Sequence, residues 1–175
     1  MSYDRNQERR RCGLCRKILR AHDAISIAGV GDRCYRCFND ETADRLGVDA
    51  ITLGEHHRED FAISSPEIVL AAIASRTERL LLGTGVTVLS SDDPVRVYER
   101  FATLDAVSGG RAEGILGRGS FTEAFPLFGY DLAGYDELFS EKLELFSRLR
   151  AEGPVTWSGR HRSALVEQEI HPKTE

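Results

Sequence analysis

The chain has 175 residues, 41% hydrophobic and 29% charged, with a formal net charge of −5. This composition excludes a disordered chain, and no apolar run approaches the roughly 20 residues of a membrane-spanning helix. The start, MSYDRNQERRR, is polar with no apolar stretch behind it, so a cytoplasmic protein without a signal peptide or membrane partner is expected.

Charge is unevenly spread along the chain. Residues 1–37 hold nine Lys and Arg against four Asp and Glu, together with all four cysteines. Residues 1–9 read as a basic tail, and Arg9, Arg10 and Arg11 as a solvated arm. No aromatic-rich basic face accompanies them, so nucleic acid is not an expected partner.

Residues 10–45 form the first expected module. Cys12-Gly-Leu-Cys15 is followed, after eighteen residues, by Cys34-Tyr-Arg-Cys37. Two such knuckles match the four-thiolate zinc template, in which each C-x-x-C turn aims both sulfurs at one point. Disulfides would need an oxidising compartment, and a redox site would use one C-x-x-C, not two. Four thiolates close the coordination sphere, so Cys12, Cys15, Cys34 and Cys37 are expected to hold a structural zinc. Between the knuckles, Ala24 to Gly29 is a candidate strand, with Gly29 and Gly31 turning the chain back. The stretch from Arg11 to Asp49 resembles small zinc-ribbon-like domains of actinobacterial proteins of unknown function.

From Asp49 onward, strand-like and helix-like runs alternate. Asp49 to Leu53 has a buried-strand pattern. Ser65 and Pro66 open a helix to about Arg76, with Ile68, Val69, Ala72 and Ile73 on its apolar face. Leu80 to Leu89 is almost continuously apolar, as a strand covered on both faces would be. Asp93-Pro94 starts a second helix carrying Val97, Phe101, Leu104 and Val107, which Gly109-Gly110 ends. Arg111 to Leu116 reads as a third strand. Leu138, Phe139, Leu143, Phe146 and Leu149 mark a third helix, stopped at Gly153-Pro154.

Strand and helix in alternation imply parallel βαβ units. In such folds, functional groups gather at the carboxyl ends of the strands. Glu55-His56-His57, Ser90-Ser91-Asp92-Asp93 and Gly117-Arg118-Gly119-Ser120 each come directly after one strand, so all three belong on one rim. Adjacent histidines on an extended segment point to opposite sides and are poorly placed to share a metal ion. One is expected to face a cavity while the other packs or meets solvent.

The combination of "GEHH", "TVLSSDDPVRVYERFATLD", "SGGRAE" and "GRGSF" resembles the flavin-dependent luciferase-like monooxygenases, over roughly Leu46 to Ile170. The resemblance implies a (β/α)8 barrel that binds reduced FMN or the deazaflavin F420 and often activates O2. Carried over by motif, His56 resembles the catalytic histidine and Glu55 the neighbouring acid near the flavin ring. The Gly85-Val86 link aligns with a non-prolyl cis peptide against that ring. Arg118 aligns with an arginine contacting the flavin phosphate, and Ser120 is a further phosphate donor. The alternative for Arg118 is an ion pair with Glu113 or Glu123.

A complete barrel needs eight strands and about 250 residues. The expected fold is therefore a partial (β/α)8 TIM barrel over 46–170, with the zinc-ribbon-like module before it and a tail at 171–175. Such a sheet leaves open edges, and Val86, Val88 and Ile115 are expected to lack partners, favouring self-association. Two functions are compatible with this organisation. One is a flavin-dependent oxidoreductase acting on a small-molecule substrate with O2, served by a flavin reductase and active on association with another chain. The other is a zinc-ribbon binding module carrying a non-catalytic remnant of the barrel.

Overall fold

A computed structural model describes residues 40–174 and, as backbone, two short strands before them. These strands, β1 (Ala24–Ile27) and β2 (Gly31–Cys34), pair antiparallel with Ala24 opposite Cys34. Cys12, Cys15 and Cys37 lie outside the described residues, and Cys34 is described only by its backbone place at the end of β2. The expected zinc site therefore falls outside the described residues.

Helix α1 (Asp40–Arg45) lies within the stretch assigned to the cysteine module, yet it is fastened to the segment between residues 76 and 80. Asp44 accepts the backbone N–H groups of Glu78, Arg79 and Leu80 at 2.9, 3.0 and 2.6 Å. These donors, Glu78 foremost, hold its carboxyl below the usual carboxylate range against the opposing effect of burial. Asp40 adds an ion pair to Arg76 at 2.5 Å.

Strands β3 (Ala50–Leu53), β4 (Leu81–Val88) and β5 (Ala112–Gly117) make a parallel sheet in that order. Helices α2 (Pro66–Ala74) and α3 (Pro94–Ser108) connect them. The fixed φ of Pro66 and Pro94 suits the first helical turn, where no N–H is needed. Asp93 caps α3, accepting from Val95 and Arg96 N–H at 2.9 and 3.2 Å, and Gly109 ends it at φ 71°. Ser65 makes no such bond, so Pro66 alone marks the start of α2.

The helices bury one face of the sheet, where Leu53, Leu70, Ile73, Leu80, Leu82 and Leu104 form the core. Arg111 fastens its lower edge, donating to the Ala74 and Leu80 carbonyls and the Thr77 hydroxyl at 3.1, 2.9 and 3.0 Å. Beyond β5 come α4 (Ala124–Phe128), α5 (Tyr135–Leu149) and an antiparallel hairpin, β6 (Val155–Trp157) with β7 (Leu165–Gln168). Val155 and Trp157 pack with Tyr98, Leu145 and Leu149, joining the hairpin to α3 and α5.

Several expectations from the sequence are corrected here. β4 is covered on one face only among the described residues. Thr52, Gly85, Glu113 and Ile115 are exposed on the other, since strand side chains alternate and nothing among the described residues packs on that face. Val88 is buried and does not lack partners, whereas Ile115 is 50% exposed. Ile73 is buried as expected and Val69 packs against the core, but Ile68 is 72% exposed and Ala72 is also outside; Leu70 and Ala74 complete the buried side of α2. Val107 and Leu143 are likewise exposed, and Lys142 and Leu145 occupy the buried side of α5. The hairpin after α5 is not anticipated by any pattern in the sequence.

Candidate active site

The carboxyl end of the sheet carries a small cleft of about 70 Å3. Two of the three expected polar sets meet there: Glu55, His56 and His57 after β3, and Gly119 and Ser120 after β5, with Gly85 and Val86 of β4 between them. The third set has structural duties. Ser90 and Ser91 are buried in a single 3-10 turn, Asp92 pairs with Arg100, and Asp93 caps α3.

His56 is held by its neighbours before and behind. Its backbone N–H donates to the Ile63 carbonyl at 2.9 Å, closing the loop after β3. Its ring stacks on Phe61 at 3.8 Å between centroids, and Phe121 meets it edge-on at 5.2 Å. Burial pushes its pKa below the ordinary histidine value, with Glu123 and Asp60 pulling the other way. The imidazole is therefore neutral at pH 7, with one nitrogen able to accept a proton. Gly54 keeps the approach open, since a Cβ there would sit 3.2 Å from Nε2 of His56.

His57 also lines the cleft but has different neighbours from His56. Its Nε2 lies 2.9 Å from Oε1 of Glu55, and the ring meets Phe128 of α4 edge-on at 5.0 Å. The other oxygen of Glu55, Oε2, accepts the backbone N–H of Val88 at 2.9 Å. Glu55 thus spans two strands and is fully engaged with protein donors.

The Gly85-Val86 peptide is cis, and the pairing of β4 with β5 slips at that point. Val86 rests on Gly117, where a Cβ would come within 2.5 Å of Cγ2 of Val86. Only glycine lets the two strands lie that close. Gly119, at φ 79°, turns the next loop, which the Tyr135 hydroxyl holds by donating to the Gly119 carbonyl at 2.7 Å.

Arg118 does not line the cleft. Its guanidinium donates to Asp136 at 2.5 Å and lies 5.2 Å over the Phe139 ring, with about half its side chain exposed. Asp136 takes the place considered for Glu113 or Glu123, because α5 brings its first turn beside the loop. Sequence reasoning passed over Phe61, Phe121 and the bridging geometry of Glu55 and His57. The only signal was "GRGSF" itself, which places Phe121 next to Ser120. Phe61 returns to His56 in the turn where its N–H donates to the Arg58 carbonyl at 3.2 Å and Arg58 pairs with Asp60 at 2.9 Å.

Among the described residues, no group of three or more His, Cys, Asp or Glu side chains is arranged to hold a metal ion. No helix among them is long and apolar enough to cross a membrane.

The luciferase-like monooxygenase family matches residues 41–175. A 4-hydroxyprotoasukamycin monooxygenase of Streptomyces nodosus subsp. asukaensis is 37% identical over 118 residues, which is 66% of this chain and 32% of that protein. The chain spans about a third of the length of the first such relatives it matches. Among solved structures, monooxygenase RslO1 of Streptomyces bottropensis superposes with a TM-score of 0.70 at 32% identity, covering 77% of this chain and 41% of that one. The oxygenating constituent of 3,6-diketocamphane monooxygenase of Pseudomonas putida, solved with FMN, shares the fold at a TM-score of 0.67 and 21% identity, over 73% of this chain and 36% of that one.

Proposed function

The chain belongs to the luciferase-like monooxygenase family, and from that premise we propose that its rim seats the ring of a reduced flavin, FMN or F420, beside His56. The observation that carries this reading is the meeting, in one cleft, of a neutral, half-buried imidazole with the bare Gly85-Val86 step. A Cβ at Gly85 would meet only Thr52, at 3.4 Å, so the surface there is low and flat enough for a planar ring. Ile115, opposite Gly85 on β5, adds apolar surface.

Reduced FMN, delivered by a flavin reductase as a separate partner, would supply the electrons that activate O2, whereas reduced F420 would supply a hydride. The chain's own residues do the rest. Gly85 and Val86 support the ring, and Phe61 and Phe121 keep water from one side of His56. His56, neutral at rest, holds or accepts a proton at its free ring nitrogen, a role typically worth 10²–10⁴-fold in rate. Arg118 and the Ser120 hydroxyl hold the phosphate, Arg118 exchanging Asp136 for it; a charge-assisted contact of that kind is worth roughly 1.5–3 kcal/mol. The substrate is a small molecule taken up on the apolar side of the cleft.

The test titrates FMN and F420 into the wild type, Arg118→Ala and His56→Ala, then follows oxygen consumption with reduced FMN. Arg118→Ala should weaken binding about tenfold or more. His56→Ala should bind almost as well and turn over more slowly, because it acts at the reacting centre and not on the anchor. Failure of the wild type to bind either cofactor overturns the proposal.

A further inference from the structure

We infer that His57 is a positioning residue, which acts through Glu55 to hold the β4 segment beneath the proposed ring seat. The pairing of β3 with β4 stops at Leu53 opposite Thr84. Four residues further on, the N–H of Val88 points to Oε2 of Glu55 instead of to a strand carbonyl. The Glu55 side chain therefore takes over where the ladder ends, spanning the slip at Gly85–Thr87.

A carboxylate in that place needs more than one donor. The Glu55 side chain is only 8% exposed, and an ionised oxygen left buried without a partner is costly. His57, 11% exposed, supplies the second donor at 2.9 Å. A carboxylate accepts, so the His57 tautomer that makes this contact is the one with the proton on Nε2. Phe128 sets the plane of the ring, so α4 is coupled through His57 and Glu55 to the backbone of Val88. Removal of the imidazole donor frees Oε1, lets Glu55 swing towards water, and releases the Val88 N–H. The inference deepens the flavin reading by explaining how the seat is kept in place, while the contact itself exists without cofactor.

The experiment uses the full chain without cofactor. Amide hydrogen exchange of Val88 is read by NMR against Leu82, whose N–H donates to the Arg111 carbonyl at 2.8 Å and reports the core of the sheet. His57→Leu, which has no donor, should speed Val88 exchange about tenfold relative to Leu82. His57→Gln places an amide donor near the position of Nε2 and should restore protection to within about twofold. A second arm measures FMN affinity, which His57→Leu should weaken several-fold and His57→Gln should not. Unchanged Val88 exchange in His57→Leu overturns the inference, as does an equal rise in His57→Gln or a parallel rise at Leu82. Absence of FMN binding by the wild type would sink the flavin reading alone, since the exchange arm decides the role of His57 without it.

Discussion

Lys142 is the buried charge that the helical pattern of α5 hides. It is 2% exposed, donates to the Ser90 carbonyl at 2.6 Å, and lies 3.8 Å over the Tyr130 ring. Burial pushes its pKa down to about 8, against the pull of Asp92, Asp93 and Glu141. In the unfolded chain the same amine titrates near its ordinary value of 10.5. Between those values the unfolded state holds the proton and the folded state does not, so stability from this group rises with pH there. Below pH 8 both states are protonated and its contribution is flat. Urea melts of the wild type and Lys142→Met at pH values of about 7.5 and about 10 should diverge, the wild type gaining up to about 3 kcal/mol relative to the variant. An equal response of the two proteins would mean that the ammonium is not desolvated. His56 obeys the same sign on a smaller scale: its stabilising neutral form is complete above about 6.5 and is lost as pH falls through its depressed pKa.

At the scale of elements, the connections matter more than the strands. α3 is the longest link between strands of the sheet, and Asp93 serves it twice. It caps the helix and accepts from Arg162, at 2.7 Å, in the turn between β6 and β7. Asp93→Ala should cost roughly 1–2 kcal/mol in chemical denaturation, the ordinary value of a lost cap. Asp93→Asn keeps the cap and should cost under about 1 kcal/mol, since Asp93 is partly exposed and such ion pairs are weak. A loss of equal size in both variants would place the energy in the ion pair. The turn itself is shaped by Gly159, where a Cβ would lie 2.3 Å from the Trp157 ring and 2.4 Å from Oε1 of Glu141.

For the whole molecule, the sheet has two open edges, β3 and β5, and one bare face among the described residues. Ile115 on that face is 50% exposed, and Leu127 on the rim is 61% exposed. Unpaired strand edges and exposed apolar groups favour association. Sedimentation velocity should find dimers or larger species, and Ile115→Glu should shift them towards monomer by placing a charge on the face. A wild type that sediments as a monomer and melts cooperatively would contradict this. We also propose one zinc per chain on Cys12, Cys15, Cys34 and Cys37, read by metal analysis. Thiolate sites of this kind couple metal binding to folding, so Cys34→Ser should lose the metal. Retention of stoichiometric zinc by a Cys12→Ser, Cys15→Ser variant would overturn the assignment.

The sequence by itself determined the order of the parallel strands and their helices. Apolar runs of strand length, Pro66 and Pro94 at helix starts, and Gly109 beyond α3 act locally, and local signals survive without knowledge of the partner. It also located the rim, because residues directly after a strand must lie at its carboxyl end, and the motifs identified Glu55, His56, Gly85 and Val86 as neighbours. Only the tertiary structure decided what those residues touch. Glu55 spans to Val88 across two strands, Arg118 turns to Asp136 on a helix whose place the sequence does not encode locally, and Lys142 is buried among Leu138, Leu145 and Leu149 on the packed face of α5. Contacts of this kind depend on distances between segments far apart in the chain, which arise from packing and not from the period of any one element.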